Sequence, residues 1–231
     1  MTSPSSGYEV GFARADITVW EPELCMLGWG MFYNRIEGVA ESIYARALVV
    51  RDQRGERVAY VCVDLLLMSL AVRQGVLDAL AAEHPELELD EARVMLTATH
   101  NHSAPAGYSH YLSKNIGGPG FSRPVLEGVV RGIVEAIVAA DRACRPGRLR
   151  FATGDVPPEA GIAFNRSWFA YNRNCDTRPV TYEGRAEAVD AVMEVLRFEP
   201  DDGSPGGMLS WFPLHGTCVH AENRKIHSDH K

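Results

Sequence analysis

From Ser122 to a stop at Arg145-Pro146-Gly147 the chain carries a stripe that only a helix gathers onto one face: Val125, Val129, Ile133 and Ile137, four residues apart. Ser122 caps it, and Pro124 sits in the first turn, where a missing N–H costs nothing. The apolar runs around it have β character. Tyr8–Thr18 alternates, Ile43–Arg51 and Val58–Asp64 are rich in β-branched residues, and DQRGE at 52–56 supplies a hairpin turn between the latter two. A second helix is expected over Ser69–Glu83, with Val72, Val76 and Leu80 on one side and a stop at His84-Pro85. Ala92–Thr99 reads as an interior strand, followed by a loop over residues 103–121. Arg148–Val156, Val192–Glu199 and Met208–Leu214 read as further strands, the last delivering His215. These signals predict a mixed α/β fold, β-sheets flanked by helices, with its chemistry at strand C-terminal ends. Without a repeat or a linker, 1–231 reads as one domain.

Composition removes several classes of function. A formal net charge of −7 disfavours a nucleic-acid partner held by phosphate contacts. The longest apolar run, Val58–Leu67, is broken by Tyr60 and Asp64 and is too short to span a bilayer. The first residues, MTSPSSGYEV, lack a basic segment followed by an apolar one, so cytoplasmic action is expected. Cys25, Cys62, Cys144, Cys175 and Cys218 are widely spaced and read as thiols, not as a disulfide framework. No GxGxxG, Walker A, GxSxG, HExxH or EF-hand pattern occurs.

Histidine placement is more informative. Of 8 histidines, all but His84 fall in two segments: His100, His102 and His110, then His215, His220, His227 and His230. Histidine is the commonest metal ligand and general acid–base group, so two distant clusters suggest one site assembled by folding. In Thr97-Ala-Thr-His-Asn-His-Ser, a continued extension sends the two imidazoles to opposite sides. One then binds metal and its neighbour polarises substrate or positions water; two inert loop histidines are the alternative. His215 ends a second apolar run, and paired strand-end histidines suit a mononuclear zinc site; alone, His215 also reads as a core histidine. Arg166, among aromatic residues in a loop, either forks a polar head group or stacks on Trp168 or Phe169.

Several segments, in order, resemble one family. TATHNHSAPAGYSHY looks like the HTHSGPxGY signature of the neutral/alkaline non-lysosomal ceramidases. VGFARADIT, MLGWG and IYARALVV are similar to that family's N-terminal segments, and GFSRPVLEGVVRGIVEAI to the helix after the signature. FNRSWFAYNRN resembles its INRSPxAYxxNP loop, LSWFPLHGTCVH its WFxxHxTSM segment, and HSDHK the start of its SSDNKGYA motif. The resemblance implies a hydrolase, a zinc-dependent amidase that cleaves the N-acyl amide of ceramide to sphingosine and fatty acid. It implies His100 and His215 as zinc ligands, His102 as a catalytic residue beside the scissile amide, and Arg166 as a substrate-binding residue at the polar head. Zn²⁺ acidifies water near neutral pH and stabilises the oxyanion that amide hydrolysis generates. A sphingolipid or another N-acyl amide is the expected partner, compatible with contact at a membrane surface. The alternatives are a zinc amidase for a soluble N-acyl amide and a non-catalytic metal- or lipid-binding remnant. HNHSAP, GTCVH and SDHK depart from HTHSGP, STSM and SDNK. The family's further zinc ligands and catalytic serine are expected beyond residue 231, which makes 1–231 an N-terminal, incomplete catalytic domain. Within the chain, His220, His227, Asp229 and His230 are the candidates for a third ligand.

Overall fold

The computed structural model describes residues 7–115 and 120–231. The opening residues of MTSPSSGYEV, and the 116–119 part of the expected loop, lie outside the described residues. Two compact units make up the chain: one runs to Gly147 and resumes over Gly216–Lys231, and the other is Arg148–His215.

The first unit begins with β1 (Tyr8–Asp16), followed by the short β2 (Gly38–Val39) and the hairpin β3 (Tyr44–Asp52) and β4 (Arg57–Val63). β3 pairs antiparallel with β1 from Tyr44↔Asp16 to Asp52↔Tyr8, and with β4 from Ala45↔Val63 to Arg51↔Arg57. The DQRGE turn closes because Asp52 Oδ1 accepts from the N–H groups of Arg54 and Glu56 at 2.8 and 2.9 Å. α1 (Leu70–Glu83) starts where Ser69 Oγ accepts from Val72 N at 3.3 Å, and it buries Val72, Val76 and Leu80. It carries the chain from β4 to β5 (Val94–Ala98), which pairs parallel with β4, as a parallel pair requires of its connection. After α2 (Leu112–Asn115) comes α3 (Arg123–Arg142), capped by Ser122, with Val125, Val129, Ile133 and Ile137 fully buried. α3 packs on β1, β3 and α1, so the hydrophobic stripe that defines it is the one the core needs. β6 (Arg145–Asp155) starts beside β1, with Val10 opposite Arg145, which gives the order β5-β4-β3-β1-β6.

In the second unit β6 continues and is joined by α4 (Trp168–Tyr171), β7 (Val192–Pro200) and β8 (Met208–Trp211), in the order β6-β7-β8. The long connection from β6 to β7 is held by two asparagines. Asn165 donates to Ala188 O and accepts from Ser167 N, while Asn172 bonds both the N–H and the C=O of Val180. The chain then returns to the first unit, where β9 (Lys225–Ile226) pairs parallel with β2.

Two expectations need correction. Val94–Ala98 stands at the end of its unit's strand order, not in the interior, and Met95 is exposed on it. An apolar run does not distinguish the two positions. The strand expected to deliver His215 stops at Trp211. Pro213 follows two residues on, and a proline contributes no N–H to a ladder. The five cysteines are free thiols, and no helix among the described residues is long and apolar enough to cross a membrane.

Candidate metal centre

β5 ends at Ala98, and the ladder with β4 continues one residue further as Thr99 N donates to Val63 O at 2.9 Å. His100 then turns sharply, with φ of 60°, a left-handed conformation that L residues rarely hold. That turn cancels the opposite-face geometry expected of an extended HxH. The imidazoles of His100 and His102 meet instead, with ring centroids 5.0 Å apart and planes at 76°. His100 is exposed and His102 is buried.

Each ring is oriented by its surroundings. His100 Nδ1 lies 2.9 Å from Leu66 O. A carbonyl only accepts, so Nδ1 carries the proton and Nε2 keeps its lone pair for a ligand role. The Leu66 carbonyl is fixed in turn by Tyr108, whose fully buried phenol donates to Leu67 O at 3.1 Å and faces Leu67 N at 3.4 Å. Burial drives the Tyr108 hydroxyl far above its ordinary pKa, against the pull of the Leu67 and Leu66 backbone. Tyr108 is therefore a protonated structural strut. His102 stacks edge-on against Trp29 at 5.0 Å. The chain at Gly28 runs so close that a Cβ there would sit 2.4 Å from His102 Cγ.

The C-terminal segment completes the surroundings of this turn. His102 N donates to Gly216 O at 3.2 Å, and His227 N donates to Ser103 O at 3.2 Å. Asn101, fully buried, donates to Asp64 O and His227 O and accepts from Ser103 N. The Asp229 carboxylate, buried at φ 61°, accepts from Cys218 N at 3.0 Å and Val219 N at 3.2 Å. Gly216 touches the turn directly, because a Cβ on it would lie 2.4 Å from His100 O.

In the second unit His215 meets Arg166. Arg166 Nη2 lies 3.1 Å from His215 Nε2. A guanidinium only donates, so Nε2 of His215 presents the lone pair that a metal ion would otherwise take. The stacking alternative for Arg166 is realised by another residue of the same loop: Arg185 lies 3.9 Å over the Tyr182 ring and 4.9 Å over that of Phe164.

Of the third-ligand candidates, His227, Asp229 and His230 contact one another or other groups. His227 Nδ1 accepts from Asp229 N at 2.9 Å and lies 3.3 Å from Glu41, and His230 Nδ1 lies 3.5 Å from the Asp229 carboxylate. His110 stacks on Phe121 at 4.5 Å. The residues that support the turn and that sequence does not single out are Leu66, Tyr108, Asn101 and Gly216; Asp229, a third-ligand candidate, accepts from Cys218 N and Val219 N instead. Asn101, Tyr108 and Gly216 lie inside the family-like segments, whereas a backbone carbonyl such as that of Leu66 leaves no trace in residue type.

The family model described as "Neutral/alkaline non-lysosomal ceramidase, N-terminal" matches residues 8–231. The neutral ceramidase of Pseudomonas aeruginosa is 36% identical over 225 residues, 97% of this chain and 32% of that protein. Neutral ceramidase B of Dictyostelium discoideum is 32% identical over 230 residues, 100% of this chain and 31% of that protein. A crystal structure of the Pseudomonas aeruginosa neutral ceramidase superimposes with a TM-score of 0.87 at 34% identity, covering 96% of this chain and 34% of the solved one. A structure described as a ceramidase complexed with C2 gives the same TM-score, 0.87. The chain spans about a third of the length of the curated relatives it matches.

Proposed function

Because the chain belongs to the neutral/alkaline non-lysosomal ceramidase family, we propose that it carries the histidine part of the active site of a zinc-dependent amidohydrolase. The substrate in this reading is the N-acyl amide of ceramide or of a ceramide-like lipid, cleaved to sphingosine and a fatty acid. The observation that carries it is the left-handed turn at His100, which brings the His100 and His102 imidazoles together at the end of β5. In this reading His100, His102 and His215 are the imidazoles that gather around the ion. The donor set fits zinc, which takes neutral imidazole nitrogens, and His100 has the tautomer that offers Nε2.

His100 and His215 are the ligands in this reading. When bound, the ion acidifies water and polarises the amide carbonyl. His102, held between Trp29 and His100, keeps a ring nitrogen beside the scissile amide, where it can hold or pass a proton. Arg166, the exposed partner of His215, grips the polar head of the substrate.

Metal stoichiometry and turnover of three variants test these roles. His100→Ala and His215→Ala each lose roughly a hundredfold or more in zinc affinity, since ligand loss exceeds the ~10–100-fold cost of an outer contact. His102→Ala keeps the metal and loses turnover. Zinc retained in both ligand variants refutes the site. Hydrolysis of a soluble N-acyl amino acid with ceramide untouched moves the substrate assignment to soluble amides.

A further inference from the structure

We propose that Asn101 is a positioning residue of this site, an amide clamp that holds the ligand His100 and the neighbouring His102 in their face-to-edge arrangement; this rests on the metal reading above. Asn101 lies between the two histidines and is fully buried. Its Nδ2 donates to Asp64 O at 3.1 Å and to His227 O at 2.8 Å, and its Oδ1 accepts from Ser103 N at 2.7 Å. Its backbone N–H donates to Leu65 O at 3.0 Å. One side chain therefore ties together the segment after β4, the HxH turn and the C-terminal segment after β9.

The clamp acts where the backbone is least able to hold itself. His100 has φ of 60°, a conformation that a non-glycine residue keeps only when its surroundings over-determine it. The residue that follows supplies that determination. With Asp64 O and Ser103 N fixed by Asn101, the chain cannot relax toward extension, which would carry the two rings to opposite sides.

The arrangement uses two N–H donors and one acceptor on a single short side chain. Asparagine has that set; aspartate has no donor, and threonine has one hydroxyl donor. The amide is also neutral, so it fixes the ligand His100 and its neighbour His102 without adding charge beside the ion. Its contribution is to orientation, in the way outer contacts generally tune metal ligands.

Two variants of the full chain test this, Asn101→Asp and Asn101→Thr, each read in the metal-free protein and by Co²⁺ titration. Asn101→Asp sets a carboxylate oxygen against two carbonyls, and Asn101→Thr keeps one donor. In the metal-free protein, nuclear Overhauser contacts between the His100 and His102 rings are expected to vanish in Asn101→Asp and to weaken in Asn101→Thr, with cooperative unfolding retained. Co²⁺ affinity is expected to fall about 10–100-fold in Asn101→Asp, with an altered visible spectrum, and by less in Asn101→Thr. Ring contacts and Co²⁺ affinity within twofold of the parent in both variants overturn the proposal. If Asn101→Asp does not fold, Asn101→Thr carries the test; if neither folds, the residue is structural and the proposal falls. A parent that binds no Co²⁺ sinks the metal reading instead, while the ring contacts in the metal-free protein still decide the role of Asn101.

Discussion

The two units hold their candidate site histidines by different means. In the first, Val49, Val61, Val72, Val76, Ile133 and Ile137 are fully buried, and His100 and His102 leave that core on a turn hydrogen-bonded on every side. In the second, Ala188, Phe198 and Pro200 are the buried residues among the described ones, and most side chains of the β6–β7 connection are exposed. His215 and Arg166 are paired there with each other at 3.1 Å. Packing density confers positional precision, because a close-packed core transmits small displacements and resists them. Thus the first unit presents pre-set imidazoles, and the second presents groups whose positions depend on a few polar contacts.

Core truncation tests that contrast most strongly. Ile133→Ala removes a fully buried side chain from the face of α3 that packs on the first unit's core. Its expected cost is about 2–5 kcal/mol, read by denaturant unfolding. Phe198→Ala is expected to act locally, raising amide exchange across residues 148–215 and leaving β3 and β4 protected. Equal loss of protection at β3 and β4 in the Phe198 variant would show that the second unit is no looser than the first.

The same contrast explains how far the sequence could be read. Elements set by periodicity were visible in it: the α3 stripe, the Val72-Val76-Leu80 face of α1 and the Asp52–Glu56 hairpin all form as the residues predict. Their free energy comes from burying a regular face, and regular faces leave regular patterns. The order of strands was hidden, since a parallel edge strand and an interior one can share the apolar run of Val94–Ala98. At the site, motifs single out His100, His102, Arg166 and His215 as candidates, and the opposite-side placement of the two imidazoles holds only for a chain that stays extended through His100. The left-handed turn there depends on partners far along the chain, Asp64 and His227 among them. Non-local hydrogen bonds of that kind have no sequence period.

A smaller effect is expected at the junction of the units. A Cβ on Gly216 would sit 2.4 Å from His100 O and 2.9 Å from its carbonyl carbon, both backbone atoms that cannot swing aside. Gly216→Ala should therefore destabilise by about 1–3 kcal/mol, the usual cost of overpacking. It should also weaken zinc binding, because the displaced residue is bonded to His215. Calorimetry and a chelator competition on the same variant separate the two effects. Unchanged zinc affinity would mean that the second unit absorbs the shift, and that its looseness is an asset at this point.

Acid titration gives the smallest expected change and separates the units by electrostatics. In the first unit Asp141 is largely shielded; burial alone would raise its pKa, but hydrogen bonds from Arg51 at 2.9 Å and Arg57 at 2.8 Å outweigh this and hold it below the ordinary value of 3.8. In the second unit Glu199 is also lowered, chiefly by its hydrogen bond from Arg150 at 2.7 Å, but its Arg150 partner is largely exposed to solvent. Both carboxylates have depressed folded-state pKa values, so each contribution is complete above its unfolded value and is lost as pH falls through the lower folded one. The environments differ in screening, since salt weakens exposed pairs far more than sheltered ones. Near 1 M salt, the acid response that remains below about pH 4 should therefore belong to the first unit and disappear in Asp141→Asn. A residual response of the same size in Asp141→Asn would mean that the Arg51–Asp141–Arg57 cluster is as screened as the surface pair, and the two units would then be electrostatically alike.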